Sequence, residues 1–309
     1  MKPQIAVVGS VNMDMVFKTP RMPAPGETLM GHSFHQVHGG KGANQAVAAA
    51  RMGAEVHFVA NVGDDLNGQS CLQALVQDGI DVQHVRVMAG SATGVAGILL
   101  DDAGENCIVL TTGANALMST ADIDKAGNTI AEAKLLLCQL ETPLATVMHA
   151  IACARRANVK VVLNPAPAQA LADELLCQVD FLVVNETEAA LLSDVAVVDV
   201  VTAERAAAAL LARGAKVILL TLGALGMWVA TPENAYFLAA FEVEVLDTTA
   251  AGDTFVGSFA VAMAEGRDVR AACMFAQSAA ALAVTKLGAQ TSIPYREAVE
   301  RQLLQLQKQ

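Results

Sequence analysis

The segment at residues 247–255, Asp-Thr-Thr-Ala-Ala-Gly-Asp-Thr-Phe, holds the residues best suited to chemistry. Three small residues, Ala250, Ala251 and Gly252, come directly before Asp253, and an apolar run that predicts a helix follows. Small side chains let a ligand approach the backbone closely, and the N–H groups at the start of a helix attract anions. A carboxylate beside such an anion site can accept the proton of an attacking hydroxyl. The alternative is that Asp253 only caps the helix.

Residues 39–44, Gly-Gly-Lys-Gly-Ala-Asn, form a second glycine-rich segment where another helix is predicted to begin. The segment is not a P-loop, because Lys41 is followed by Gly42 and not by Ser or Thr. Lys41 and Asn44 could hydrogen-bond a polyol. A plain Gly-Gly turn that opens a helix is the alternative.

Two further polar segments follow predicted strands. Asn185-Glu186-Thr187-Glu188 follows the strand at residues 181–184, and Mg²⁺ prefers one or two carboxylates with water and phosphate oxygens. A helix cap whose acidic residues complement the helix dipole is the alternative there. Thr221 begins the segment Thr-Leu-Gly-Ala-Leu-Gly, whose two glycines would admit a nucleotide or simply form a turn.

The surrounding elements predict how these segments come together. From about residue 120 onward strands and helices alternate, which predicts a parallel sheet with helices on both faces. Alternating apolar residues predict a strand at 241–246 that leads into the segment with Asp253. Ligands of open α/β sheets bind at the carboxyl ends of the strands, where these segments lie. We expect one compact domain over residues 1–309, with a small side sheet whose lid strands come from about 12–38 and 92–112.

Composition excludes several classes of function. The 309 residues are 54% hydrophobic and carry a net charge of −11, and no basic cluster could follow a nucleic-acid backbone. Phosphate must therefore be bound locally, by backbone N–H groups, a few cations or metal ions. The apolar runs end at strand length, so we predict no membrane span and no signal peptide. The six cysteines form no CxxC pair and predict reduced thiols and a cytoplasmic location.

Six motifs in order identify a resemblance that covers essentially the whole chain. They are GSVNMD at 9–14, GGKGANQA at 39–46, NPAPA at 164–168, NETE at 185–188, TLGALG at 221–226 and DTTAAGDTF at 247–255. The set resembles the ribokinase family of carbohydrate kinases. The resemblance implies a three-layer α/β fold with a mostly parallel central sheet, helices on both faces and a small β-sheet lid. It also implies a homodimer formed through the lid.

The resemblance implies ATP-dependent phosphorylation of a sugar, with D-ribose at O5 as the leading acceptor and ribose 5-phosphate as the product. Asp253 would be the base, and residues 250–253 would form an anion hole. Another acceptor sugar (deoxyribose, another pentose or a hexose) or a nucleoside is the alternative within the same chemistry. A sugar sensor without kinase activity is the alternative outside it.

The resemblance also assigns the remaining site residues. The catalytic set is Asp253 with Gly252, Ala251 and Ala250. The sugar would meet Asn12, Asp14, Gly40, Lys41, Gly42, Ala43, Asn44, Glu141 and Asp253. ATP would lie along Asn185, Glu188, Thr221, Gly223, Gly226, Gly252 and Gln277. A K⁺ ion would be held by Asp247, Thr249, Ala283, Lys286, Gly288 and Ser292, and Mg²⁺ would lie near Glu188, through water. Two positions depart from the family pattern: Ala250 stands where many members carry Gly, and Gln277 where related kinases often carry His or Asn.

Overall fold

The computed structural model of the protein describes residues 2–306. A nine-stranded sheet forms its centre, and the strand order is β13-β12-β11-β10-β9-β8-β1-β4-β5. Its strands are β1 Gln4–Val8, β4 Glu55–Gly63, β5 Asp81–Met88, β8 Leu135–Cys138, β9 Lys160–Leu163, β10 Phe181–Val184, β11 Ile218–Thr221, β12 Gly226–Ala230 and β13 Ala235–Ala239. All neighbouring strands are parallel except at β12, which is antiparallel both to β11 and to its hairpin partner β13.

A second sheet of four strands stands apart from the main one in the order β3-β2-β6-β7. Its strands are β2 Asn12–Thr19, β3 Ser33–Gly39, β6 Gly94–Asp101 and β7 Asn106–Thr111. Strands β2 and β6 are parallel, whereas β2–β3 and β6–β7 are antiparallel. Every residue of β7 is exposed, so this sheet has a large uncovered surface.

Helices cover both faces of the main sheet. All four residues of β8 and of β10 are buried, and since successive side chains alternate between the faces, both faces are covered there. The helices are α1 Lys41–Arg51, α2 Leu66–Gln77, α3 Thr120–Lys125, α4 Gly127–Glu132, α5 Leu144–Arg156, α6 Asp173–Leu176, α7 Glu186–Ser193, α8 Val200–Ala212, α9 Ala251–Ala264, α10 Val269–Ala283 and α11 Arg296–Leu306. Helix α9 packs on α1 and α10 and against β1 and β8, in the middle of the sheet. The predicted fold class is therefore confirmed.

The predicted strand at 241–246 is wrong. The chain is a loop between β13 and α9. Within residues 2–306, the main-chain hydrogen bonds that join this loop to other segments run from Ala240 N to Leu225 O and from Leu246 N and Asp247 N to Val284 O. Val245 and Leu246 are 55% and 59% exposed. The apolar alternation of a strand is present, but no neighbouring strand pairs with this stretch and no layer covers it.

Three elements were missed by the sequence-based prediction, namely β5, α6 and α11. Strand β5 lies at the sheet edge and carries the charged residues Asp81 and Arg86. Edge strands often carry charged side chains. The apolar run at residues 269–287 predicts one helix, but α10 ends earlier, at Ala283, where the chain turns toward Gly288. Within the described range, no helix is long and apolar enough to cross a bilayer.

Candidate active site

A cavity of about 240 Å³ lies where β9, β10 and β11 end and α9 begins. Lys41 from the start of α1 also reaches it. Its polar and small lining residues are Lys41, Asn164, Asn185, Glu188, Thr221, Thr248, Ala250, Gly252 and Asp253. Segments that are far apart in the sequence thus meet at the carboxyl edge of the sheet, which is the usual ligand position in open α/β folds.

Asp253 is buried in the first turn of α9, with 8% of its surface exposed. Asn44 Nδ2 donates to its Oδ2 at 3.0 Å, and Gln45 Nε2 donates to its Oδ1 at 2.9 Å. Burial raises the pKa of Asp253 above its ordinary value, although the charge of Lys41 and the two amide donors oppose that rise. A carboxylate of raised pKa is a better proton acceptor for an alcohol.

The backbone beside Asp253 offers unused donors. The N–H groups of Ala250, Gly252 and Asp253 have no acceptor among residues 2–306, whereas Ala251 N donates to Thr248 O at 3.2 Å. A Cβ built on Gly252 would meet no protein atom within 4 Å, so packing does not require glycine there. Because Gly252 lines the cavity, its missing side chain leaves room for a ligand. The free N–H groups and this space form an anion site at a helix N-terminus.

One lysine balances four carboxylates in this site. Burial alone would lower the pKa of Lys41, but Asp253, Glu141, Glu188 and Asp14 together raise it. In the opposite direction, burial and the negative charges of Glu141 and Asp253 raise the pKa of Asp14 to about 7. The site therefore carries excess negative charge, and a phosphorylated ligand would need additional cations.

The other side of Asp253 presents hydrogen-bonding groups that the protein leaves open. Asp14 accepts no hydrogen bond from the described part of the chain, and Asn44 Oδ1 is buried without a partner there. Asn12 is also buried, and its Oδ1 accepts from Asn115 Nδ2 at 2.8 Å. Open acceptors on short, fixed side chains suit a ligand with several hydroxyl groups.

The small residues at the start of α1 allow this helix to lie close to the loop that follows β1. A Cβ on Gly40 would lie 2.7 Å from Asn12 N, and one on Gly42 would lie 2.4 Å from Ser10 N. Ala43 N donates to Ser10 O at 2.9 Å. Larger side chains would push α1 away from the loop that ends β1 and would separate Lys41 and Asn44 from Asn12 and Asp14.

Glu141 joins the loop at residues 9–12 to the start of α1. Its Oε2 accepts from Ser10 Oγ at 2.5 Å and from the main-chain N–H of Lys41 at 3.0 Å. The carboxylate therefore binds the positive end of the α1 dipole and holds that helix beside the loop at residues 9–12. Only the second oxygen, Oε1, is left for a ligand.

Asn185 and Glu188 form a capping box at the start of α7. Glu188 accepts from Asn185 N at 2.9 Å and from Asn185 Nδ2 at 3.1 Å. Burial raises the pKa of Glu188, while the Asn185 main chain and Lys41 lower it in part. Both residues also line the cavity, so they cap the helix and face the ligand space together. Their role toward Mg²⁺ stays a prediction.

The remaining nucleotide residues are only partly brought together. Thr221 lies on the cavity wall, and its Oγ1 donates to Val184 O at 3.3 Å. Gly223, Gly226 and Gln277 do not line the cavity. Packing alone requires glycine at position 226, because a Cβ there would lie 2.1 Å from Leu238 O. The assignment of these three residues to ATP stays a prediction.

Three of the residues predicted to hold K⁺, namely Asp247, Thr249 and Gly288, are joined by hydrogen bonds. Asp247 Oδ1 accepts from Thr249 N at 2.9 Å, and Oδ2 accepts from Gly288 N at 2.8 Å. Lys286 N donates to Ala283 O at 3.1 Å, and Ser292 is fully buried. Their carboxylate, hydroxyl and carbonyl oxygens are the donors that hard cations prefer, so the residues fit such an ion.

Several site residues were not predicted. Gln45 and Gln139 are buried beside the base, Asn164 lines the cavity, and Asn115 holds Asn12. The motifs GGKGANQA and NPAPA contained Gln45 and Asn164, which was the available signal. Nothing near Asn115 in the sequence indicated a role, whereas Gln139 stands two residues before Glu141, which the resemblance assigns to the sugar. Asn115 and Gln139 both reach the site through tertiary contacts.

A second cleft of about 310 Å³ lies between α4 and α5 and opens near Asp124, His149 and Cys153, whose ligand atoms are mutually within 4.8 Å. His149 Nε2 lies 2.7 Å from Asp124 Oδ1. Arg156 Nη2 donates to Cys153 Sγ at 3.0 Å, so a guanidinium already occupies the side that a cation would need. We assign no metal to this cluster.

Comparison with known proteins matches this geometry. A model of the pfkB family of carbohydrate kinases matches residues 2–296. A ribokinase from Haemophilus influenzae is 45% identical over 297 residues, which are 96% of this chain and 97% of that protein. A deoxyribokinase from Salmonella typhi is 38% identical over 291 residues, 94% of this chain and 95% of that protein. The structure of Arabidopsis thaliana ribokinase complexed with ribose and ATP has a TM-score of 0.91 and 32% identity, covering 98% of this chain and 99% of that one.

Proposed function

This chain belongs to the pfkB family of carbohydrate kinases and is an ATP-dependent sugar kinase, and we propose that it phosphorylates D-ribose at O5 with Asp253 as the base. The observation that carries the proposal is the position of Asp253. Its buried carboxylate accepts from Asn44, whose Oδ1 is open, and its charge acts on Asp14. It also stands in the same helical turn as the free N–H groups at the start of α9.

In the proposed reaction, Asp253 takes the proton of the O5 hydroxyl as that oxygen attacks the γ-phosphorus of ATP. The bond from the γ-phosphorus to the bridging oxygen breaks, and ADP leaves. The N–H groups of Ala250, Gly252 and Asp253 donate to the oxygens of the transferred phosphoryl group, where negative charge must be stabilised. Lys41 adds the one cationic side chain that lines the described cavity.

Sugar recognition is assigned to Asn12, Asp14, Asn44 and Glu141. Asn115 holds Asn12 by its Oδ1, so the Asn12 amide N–H groups are directed to a sugar oxygen. Asp14, Asn44 Oδ1 and Glu141 Oε1 accept from hydroxyls. Gly40, Gly42 and Ala43 act indirectly, because their small size lets α1 approach the loop at residues 9–12.

Two cations complete the proposal. Mg²⁺ would lie at Glu188, through water, with the phosphates of ATP, and K⁺ would lie at the oxygen group around Asp247, Gly288 and Ser292. The site has four carboxylates and only one lysine, so its own side chains leave the negative charge of the phosphates uncompensated. When bound, these ions neutralise that charge. Asp247 and Gly288 also tie the loop before α9 to the end of α10, so this part of the chain supports the anion site itself.

We propose that the small sheet closes over the sugar and that two copies of the chain associate through it. A lid over the acceptor excludes water, which would otherwise compete for the phosphoryl group. The exposed apolar residues of β7 support the association, as isolated small sheets need a partner surface. Six free cysteines and the use of ATP support a cytoplasmic location.

The test of the base is Asp253→Ala. We expect turnover with ATP and ribose to fall by about 10³-fold or more, because no other described carboxylate accepts from both Asn44 and Gln45. Ribose binding, measured by calorimetry, should largely survive. Substantial residual turnover in Asp253→Ala would remove Asp253 as the base.

The test of the acceptor is a panel of sugars with ATP, each measured with and without K⁺ and Mg²⁺. Ribose should give the highest kcat/KM, and its turnover should require Mg²⁺ and increase with K⁺. Deoxyribose is the second candidate, because a deoxyribokinase is among the similar proteins. A higher kcat/KM for deoxyribose or a nucleoside would replace ribose as the acceptor, and failure to consume ATP with any sugar would favour a sensor.

A further inference from the structure

A continuous path of buried side-chain amides runs from the base to the nucleotide end of the cavity. Gln45 is fully buried, and its Nε2 donates both to Asp253 Oδ1 at 2.9 Å and to Asn164 Oδ1 at 3.2 Å. Asn164 Nδ2 donates to Val183 O at 3.0 Å and lies 3.5 Å from Glu188 Oε2. Two intermediate residues and three consecutive polar contacts therefore connect Asp253 with Glu188.

The direction of this path is determined by the chemistry of its members. An ionised carboxylate can only accept, so the Gln45 amide must present its NH₂ group to Asp253. The Gln45 carbonyl then faces Gln139, whose Nε2 donates to Gln45 Oε1 at 2.6 Å. Neither Gln45 nor Asn164 can be turned round without placing two acceptors or two donors against each other. Such a buried, directional network holds its members in one arrangement.

Both oxygens of the base are held by neighbouring residues of α1. Asn44 binds Oδ2 and Gln45 binds Oδ1, so two consecutive side chains define the plane of the carboxylate. Asn44 Oδ1 is buried without a partner among residues 2–306 and thus marks the side where the sugar lies. Since Gln45 is itself bound by Asn164 and Gln139, Oδ1 belongs to a buried network, and we assign receipt of the hydroxyl proton to Oδ2, beside the open Asn44 amide.

We propose that Gln45 and Asn164 are positioning residues, with Gln45 fixing the carboxylate plane of Asp253 and Asn164 tying that plane to the Glu188 end of the cavity. The inference rests on the proposed role of Asp253 as the base. Neither residue touches a reacting atom. A misplacement of about 1 Å in an active site can cost about 100-fold in rate, which sets the size of the expected effect.

The first experiment compares Gln45→Met with the wild type. Methionine has a similar length but no donor, so Asp253 Oδ1 loses its partner. We expect kcat to fall by about 10- to 100-fold, while the Kd of the sugar changes by less than about threefold. The acid limb of the pH–kcat profile should also move to higher pH, because loss of a donor to the carboxylate makes it more basic. The charged groups acting on Asp253 (Lys41, Glu141, Asp14 and Glu188) are unchanged in this variant.

The second experiment is a double-mutant cycle with Asn164→Ser. If the two residues act as one path, the double variant should lose little more kcat than Gln45→Met alone, because the outer link has no function once the inner one is absent. Gln139→Leu removes only the donor to the Gln45 carbonyl oxygen, so it should lower kcat less than Gln45→Met does. It also keeps the inference testable if Gln45→Met does not fold.

The control is Ile151→Val, a fully buried position on α5, a helix that packs mainly on α3, α4, β8 and β9. It should lower Tm without moving the pH profile, so it separates loss of positioning from general destabilisation. A Gln45→Met enzyme with unchanged kcat and pH profile, or a cycle in which the two losses multiply, would overturn the inference while leaving the kinase assignment intact. A wild type that phosphorylates no sugar would instead defeat the proposed function.

Discussion

Asp14 shows how a binding residue conflicts with stability. Its carboxylate is largely buried, accepts no hydrogen bond within residues 2–306, and lies near the negative charges of Glu141 and Asp253. These causes raise the pKa of Asp14 to about 7, far above the value of an aspartate in an unfolded chain. The buried charge of Asp14 therefore lowers the free energy of unfolding. A sugar that donates hydroxyl hydrogens to the carboxylate would remove this destabilisation.

The sign of the pH effect follows from this shift. Above about pH 7 Asp14 is charged in both the folded and the unfolded protein, and the folded state bears the penalty of the buried charge. As the pH falls from about 7 toward 4, the folded protein binds the proton before the unfolded chain does, so the destabilisation caused by the buried charge decreases and disappears near pH 4.

We therefore expect Asp14→Asn to raise Tm at pH 8 and to raise it much less at pH 5. Removing about 1 kcal/mol of penalty corresponds to roughly 2–4 °C for a large domain. Ribose affinity should fall at least about tenfold, because a neutral amide has one acceptor oxygen where the carboxylate has two, and its hydrogen bonds to hydroxyls are weaker than those of a charged carboxylate. Differential scanning calorimetry at both pH values and titration with ribose measure the two effects. Equal Tm changes at pH 5 and pH 8 would contradict the assigned cause.

At the scale of elements, the start of α9 is the most informative junction. Ala250 adopts a left-handed conformation with φ 59°, and the helix begins at the next residue. A left-handed alanine costs roughly 1–2 kcal/mol, yet it turns the chain so that several N–H groups point to one place. The loop before it is tied down by Asp247 and Gly288, which keeps the turn in position.

Gly252→Ala tests whether this junction serves a ligand. A Cβ at Gly252 would meet no protein atom, and alanine is a better helix former than glycine by about 1 kcal/mol. We expect the variant to be as stable as the wild type or slightly more so, and its kcat to fall by about tenfold or more, because the methyl group enters the phosphate space. Steady-state kinetics and thermal unfolding give the two readings.

Gly127→Ala is the matched control, since Gly127 is also helical and a Cβ there would also meet open space. It should share the gain in stability and leave kcat unchanged. A Gly252→Ala enzyme with wild-type kcat would show that the free N–H groups of α9 do not surround the transferred phosphoryl group.

At the scale of the whole molecule, the four-stranded sheet exposes apolar side chains on both of its faces. Ile108, Val109 and Leu110 of β7 are 56%, 67% and 41% exposed. Phe17 and Phe34 form an exposed aromatic pair across β2 and β3 with ring centroids 4.8 Å apart. Exposed apolar side chains of this kind on a small separate sheet are typical of an interface between chains.

We expect Ile108→Lys to shift the protein from dimer to monomer in analytical ultracentrifugation and to raise the KM for the sugar, since the paired sheets would support each other as lids. Val198→Lys serves as the control, because Val198 is 77% exposed in a loop outside this sheet. It should leave the sedimentation coefficient unchanged. A wild type that sediments as a monomer at assay concentration would rule out the proposed association.

Local sequence determined the features that neighbouring residues produce by themselves. The order of small residues and Asp253 predicted open N–H groups and a carboxylate at one helix start, and the structure has both there because they need only a turn and the first helical amides. Anion binding at these groups stays a prediction. The alternation of strands and helices likewise predicted the layered sheet, since each pattern reflects which face must be buried. The same logic failed at 241–246, where the pattern of a strand lacks a partner strand.

Tertiary structure alone decided how Asp253 is held and how its surroundings tune it. Gln45 lies 208 residues away from Asp253 in the sequence, and Asn164 lies 119 residues from Gln45, yet the three side chains form one hydrogen-bonded path. The raised pKa of Asp14 depends on burial and on Glu141 and Asp253, none of which a sequence position specifies. Hydrogen bonds and Coulomb interactions act over a few ångströms in space, so these properties exist only once the chain has folded.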